Sequence, residues 1–129
     1  MEEIKVILVT GDRNWSNVKR IRSILSLTDY TILVEGECRG ADRLAAFIAR
    51  SNGKEVIGKA ADWKDGKKGG VMRNQAMLDE HPQIKLVLAF HNDIDSSRGT
   101  KDMINRAVKA GKKVILYTDT TEREITELI

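Results

Sequence analysis

The feature that most constrains this chain is a regular alternation. Short apolar runs rich in β-branched residues take turns with segments whose apolar residues recur at helical spacing. Ile4 to Val9 reads as a buried strand ending at Thr10-Gly11. A helix follows, expected to be capped by Ser16, with Val18, Ile21 and Leu25 along one face. Thr31 to Val34 is a second strand. Ala41 then opens a helix expected to bury Leu44, Phe47 and Ile48 before Asn52-Gly53 ends it. Glu55 to Ile57 is a shorter strand, and a helix from about Val71 to Glu80 is expected to carry Met72, Ala76 and Met77 inward until His81-Pro82 stops it. Leu86 to Phe90, a helix from Gly99-Thr100 to Gly111, the strand Val114 to Tyr117 and a short closing helix from Thr121 to Leu128 complete the pattern.

Strands alternating with helices imply an α/β chain. The expectation is one Rossmann-like, three-layer domain over residues 1–129, with a mainly parallel five-stranded sheet joined by right-handed crossovers. In such doubly wound sheets ligands bind beyond the carboxyl ends of the strands, where the strand order reverses. The polar, glycine-bearing loops after the first, second and fourth strands all fall on that edge.

Composition narrows the function classes. Cys38 is the only cysteine, so no intramolecular disulfide forms and a reducing, cytoplasmic setting is expected. No apolar run approaches the roughly 18 residues of a membrane span, and no secretory leader is recognisable, so no membrane partner is expected. The 22 basic and 19 acidic residues are mixed along the chain and leave a net charge of +3. With two residues each of Phe, Trp and Tyr, scattered along the sequence, the chain lacks the basic and aromatic density of a nucleic-acid platform. A small anionic ligand suits this balance better. His81, His91 and Cys38 do not assemble a zinc motif, so neither a metal nor a cofactor is expected.

Three loops hold the candidate residues. Gly36-Glu37-Cys38-Arg39-Gly40-Ala41-Asp42 sits between a strand and a helix, where glycines let the backbone approach a ligand and unpaired helix N–H groups favour an anion. An ordinary strand-to-helix turn has the same composition. Arg39 can add a bidentate phosphate contact, whereas Glu35 and Glu37 would repel phosphate and accept from ribose hydroxyls. Ser97-Arg98-Gly99-Thr100 repeats the arrangement, and here Ser97 or Thr100 could equally cap the next helix without any ligand. Gly11-Asp12-Arg13 follows the first strand, with Trp15 close behind. Arg73 and Asn74 stand near a helix start, either reaching the ligand or facing solvent. Trp15 and Trp63 are candidates to stack on a base or to pack their own loops.

These residues, in this order, resemble the YspA-like, cpYpsA-related branch of the SLOG superfamily, which includes LOG enzymes and DprA proteins. The resemblance rests on Val9-Thr10-Gly11-Asp12-Arg13 with Trp15, Arg39-Gly40-Ala41-Asp42 with Arg43-Leu44-Ala45, Ala61-Asp62-Trp63, Arg73-Asn74 with Met77, and Ala89-Phe90 leading to Ser97-Arg98-Gly99-Thr100 with Asp102-Met103. It implies a phosphate-bearing nucleotide or ADP-ribose-type ligand, held for sensing or sequestering in defence or counter-defence signalling. By analogy with SLOG relatives it also implies a homo-oligomer, most simply a symmetric dimer. Relatives usually carry paired glycines where this chain has Gly36-Glu37. LOG phosphoribohydrolases have a glutamate at the place of Met103, and Asp102 is one residue out of register, a turn of about 100° on a helix. Arg73 matches a LOG arginine. Cleavage of an N-glycosidic bond calls for a placed carboxylate, so the resemblance favours binding. LOG-type hydrolysis, with Asp102 and Arg73 as its residues, and DprA-type nucleic-acid binding are the alternatives.

Overall fold

In a computed structural model, which describes residues 3–129, the apolar runs form one sheet. Its strands are β1 (Val6–Gly11), β2 (Ile32–Glu35), β3 (Glu55–Gly58), β4 (Ile84–Phe90), β5 (Lys113–Tyr117) and β6 (Glu122–Ile125), in the order β3-β2-β1-β4-β5-β6. The first five are parallel and β6 runs antiparallel to β5. Four helices connect them: α1 (Val18–Ser26), α2 (Ala41–Ser51), α3 (Lys68–Glu80) and α4 (Gly99–Lys109).

The pleat sorts side chains between two cores. Ile7 and Val9 of β1 point to one face, where they pack with Ile21, Ile24 and Leu25 of α1 and Ala45, Ile48 and Ala49 of α2. Val6 and Leu8 point to the other, with Met77 and Leu78 of α3 and Met103, Ile104 and Ala107 of α4. Because both faces are covered, β1 reads as a continuous apolar run rather than an alternating one. Phe90, at the end of β4, stacks on Tyr117 at a centroid distance of 5.1 Å and meets Trp15 edge-on at 5.5 Å. Among the described residues no helix is long and apolar enough to cross a membrane.

The structure departs from the sequence reading at several points. The sheet has six strands, not five, because the segment expected to be the closing helix is β6. A tight turn starts it: the Thr118 N–H donates to Thr121 O at 3.0 Å, and Arg20 of α1 donates from Nε to Thr118 O and from Nη2 to Thr121 O. The charges that suggested a solvated helix face instead decorate a short edge strand, of which only Ile125 is buried; charge on an edge discourages pairing with another chain. α1 is capped by Asn17, whose Oδ1 accepts the Arg20 N–H, rather than by Ser16. In α2 the buried stripe is Ala45, Ala46, Ile48 and Ala49, which leaves Phe47 66% exposed. α3 begins at Lys68 and turns Asn74, Met77 and Leu78 inward. Met72 lies two residues from Asn74, about 200° around the helix, and so faces out.

Candidate functional site

The strand order reverses at β1, whose neighbours are β2 and β4. The chain leaves β1 toward α1 on one face and leaves β4 toward α4 on the other, so a crevice opens between their carboxyl ends. It has a volume of about 270 Å³. Thr10 to Asn14 line it after β1, Cys38, Arg39 and Asp42 after β2, His91 after β4, Ser97 to Thr100 at the start of α4, and Arg73, Asn74 and Met77 from α3. Most of the residues singled out from sequence therefore meet in one place. Gly36 and Gly40 shape the loop behind the wall, and Trp15 is 4% exposed in the core with its indole N–H donated to Asn17 O. Trp15 supports the site through Phe90 instead of standing on it.

The turns are built by close packing. Gly11 sits where a Cβ would come within 2.5 Å of Phe90 O and 2.6 Å of the Ala41 Cβ, so the end of β1 lies directly against β4 and the start of α2. Asp12 secures this junction, donating its N–H to Phe90 O at 2.9 Å and accepting the Ala41 N–H at 3.1 Å. Gly40 has φ +80° and ψ −129°, and a Cβ there would run into the backbone carbonyls of Asp12 and Arg13. Glu37 has φ +59°, the left-handed conformation that favours glycine. The departure from the usual glycine pair thus falls on a strained residue, and Glu37→Gly should raise stability by about 0.5–1 kcal/mol, measurable as a higher urea midpoint.

A chain of polar contacts joins the loops. Asp42, buried at the start of α2, accepts the N–H groups of Gly36 at 3.0 Å and Cys38 at 3.4 Å through Oδ2. Burial, aided by the negative charge of Glu35, pushes its carboxyl up to about 7, with Arg73 acting in the opposite sense. Glu35 is also buried, and its carboxyl is raised first by burial. Arg73 donates from Nη1 to Gly36 O at 2.6 Å, lies 3.7 Å from the Cys38 Sγ, and donates from Nε to Asn74 Oδ1 at 3.0 Å. Asn74, also buried, passes the connection on, donating to Gly99 O at 3.3 Å and to Asp102 Oδ2 at 3.0 Å. Arg73 and Asn74 therefore fix the relative positions of the loops after β2 and β4.

The free donors face the crevice. Arg13, Arg39 and Arg98 are exposed; Arg39 makes one contact, from Nη2 to Asn14 Oδ1 at 3.3 Å, and the Arg98 guanidinium has no hydrogen bond among the described residues. Ser97 does cap α4, its Oγ accepting the N–H of Thr100 at 3.2 Å and Lys101 at 3.4 Å. Even so, the backbone N–H groups of Arg98 and Gly99, and those of Arg39 and Gly40 before α2, have no protein acceptor among the described residues. Two helix N-termini with unpaired N–H groups and four arginines, against the carboxyl groups of Asp12 and Asp42, make the crevice suited to an anion.

Sequence reasoning passed over His91 and Cys38, and both line the crevice. His91 follows β4 as Asp12 follows β1, and that position was the available signal. Its Nδ1 accepts the Asp93 N–H at 2.9 Å, so the neutral ring carries its hydrogen on Nε2. The suggested catalytic carboxylate is elsewhere: Asp102 does not line the crevice, accepting from Asn74 and from Arg106 Nε at 2.9 Å, and Met103 is fully buried. Among the described residues no cluster of three or more His, Cys, Asp or Glu could hold a metal ion.

Residues 5–66 match the model of a protein family described as the YspA, cpYpsA-related SLOG family. The match runs from β1 through β3 to the turn at Trp63, and it bears out the resemblance read from the sequence over that segment. No curated protein matches the chain.

Proposed function

From the match of residues 5–66 to the SLOG family model and from the geometry of the site, we propose that this chain binds a phosphate-bearing nucleotide or ADP-ribose-type small molecule in the crevice between β1 and β4. The observation that carries this reading is the convergence of Arg13, Arg39, Arg73 and Arg98 with the unpaired N–H groups of Arg39 and Gly40 before α2 and of Arg98 and Gly99 at the start of α4. A phosphate there meets donors already held in place by Asp42, Asn74 and Gly40. The role is that of a sensor or a sequestering protein in defence or counter-defence signalling, as the resemblance implies, and assembly as a symmetric dimer belongs to the same proposal. LOG-type hydrolysis is disfavoured by the position of Asp102, whose carboxylate is engaged away from the crevice.

Native mass spectrometry of freshly purified protein, with identification of any released small molecule, tests the reading directly. A retained nucleotide mass supports it; a retained ligand without phosphate contradicts it. Replacing Arg98 by alanine removes one charge-assisted contact, worth about 1.5–3 kcal/mol, and should weaken binding roughly ten- to a hundredfold. Gly99→Val should act without strain, because a Cβ at Gly99 has nothing within 4 Å and would project into open space. That space borders the crevice, so the valine should block the ligand while leaving the urea midpoint unchanged. Lys112→Ala, just before β5 at the other end of the sheet, should bind normally.

A further inference from the structure

A second, less polar pocket of about 720 Å³ opens beside the arginine crevice. We propose that this pocket is the subsite for a planar aromatic ring, the nucleobase of the ligand whose phosphate lies in the crevice, with Trp63 as its stacking platform. The inference rests on the nucleotide reading above and adds to it the residue that would read the base.

The two spaces adjoin, and Arg13, Arg73, Asn74, Arg98 and Gly99 border both. Trp63 and Val71 supply the apolar wall of the second. Its charged residues are Arg13, Lys67, Arg73 and Arg98, with no carboxylate among the described residues that line it. An apolar wall under a ring of cations suits an aromatic group carrying negative charge, which is the chemistry of a nucleotide rather than of an aliphatic acid.

Trp63 is held in place although it is 51% exposed. It begins a short 3₁₀ turn, Trp63–Asp65, in which the Asp62 side chain accepts the Lys64 N–H. Gly69, in the first turn of α3, lets the backbone of Asp62 press directly onto the helix. At Gly70 a Cβ would come within 3.0 Å of the indole Cη2, so the absence of a side chain gives the ring its seat. The Arg13 guanidinium lies over the ring, 5.3 Å from its centroid. An indole fixed by backbone packing and a cation, and still half open to a pocket adjoining an anion site, can stack on a base with little ordering cost.

The test compares AMP with ribose 5-phosphate, which share sugar and phosphate and differ in the base, on the parent chain, Trp63→Ala and Trp63→Phe. AMP should bind the parent more tightly than ribose 5-phosphate. Trp63→Ala should weaken AMP about ten- to a hundredfold and leave ribose 5-phosphate unchanged, and Trp63→Phe should restore most of the AMP affinity. AMP should also quench indole emission in the parent and not in Trp63→Phe, since Trp15 is buried away from the pocket. Equal affinities for the two probes, or equal losses of both in Trp63→Ala, would overturn the subsite while leaving the phosphate crevice standing. Binding of neither probe to the parent would overturn the nucleotide reading and the subsite with it.

Discussion

Gly40→Ala should cost about 3 kcal/mol or more and should abolish ligand binding in whatever fraction remains folded. Two independent effects add at this position. The backbone conformation, φ +80° and ψ −129°, lies in a region populated almost only by glycine. The new methyl would also be driven into the carbonyls of Asp12 and Arg13, which are themselves fixed by the Asp12 bonds to Phe90 and Ala41. Relief requires moving the start of α2 away from the end of β1, and that start carries Arg39 and the unpaired N–H groups of the anion site. Gly53→Ala is the matched control. Gly53 also has a positive φ, +74°, but a Cβ there has nothing within 4 Å, so its replacement should cost only the left-handed strain of about 1 kcal/mol. Urea midpoints of the two variants compare the terms, and equal losses would show that close packing at Gly40 contributes nothing.

The chain should also become less stable as pH rises from about 4 to about 7, against the usual trend for a protein with paired carboxylates. The sign follows from Asp42, whose carboxyl is pushed up to about 7 in the fold from an ordinary 3.8. Between those values the folded chain holds a proton that the unfolded chain has released, so each step up in pH favours unfolding; above about 7 both forms are ionised and the dependence flattens. The full effect is on the order of 4 kcal/mol. Glu35, also raised by burial, acts in the same direction. Asp29, lowered chiefly by its hydrogen bond from Lys5, acts in the opposite sense but below its ordinary 3.8, outside this window. Asp42→Asn keeps an oxygen able to accept the Gly36 N–H and removes the ionisation. Its urea midpoint should therefore fall less than the parent's between pH 5 and pH 8, the remaining dependence coming from Glu35, and should exceed that of the parent at pH 8. A parent midpoint that rises over the same interval would contradict the buried, raised carboxyl.

The alternation of apolar runs with helical stripes was sufficient to place β1, β2, β4, β5 and the helices between them. Burying both faces of a parallel sheet leaves that pattern in the chain. β6 was hidden because Glu122, Arg123 and Glu124 occupy an exposed edge, where side-chain pattern carries no periodic burial. Arg39, Arg98 and their glycine turns were legible as strand-to-helix loops on one edge. Asp42, Arg73 and Asn74 were named as ligand candidates, but their role as supports was not legible. Asp42 looks like an ordinary acid in a first helical turn, and only the packed loop over it reveals a buried carboxyl. Trp15, next to the first of those loops, looks the same as Trp63 in sequence. The structure separates them because Trp15 finds Phe90 to pack against in the core, whereas Trp63 rests on Gly70 at the surface.

Calorimetric titration of ADP-ribose and AMP into the parent chain and into an Arg39→Ala, Arg98→Ala double variant asks whether the arginines of the crevice hold a nucleotide. Saturable binding of at least one nucleotide to the parent is expected, with a loss of about a hundredfold or more in the double variant and no change in its urea midpoint. Nucleotide binding of equal affinity in both proteins would contradict this expectation, placing the ligand somewhere other than the crevice between β1 and β4.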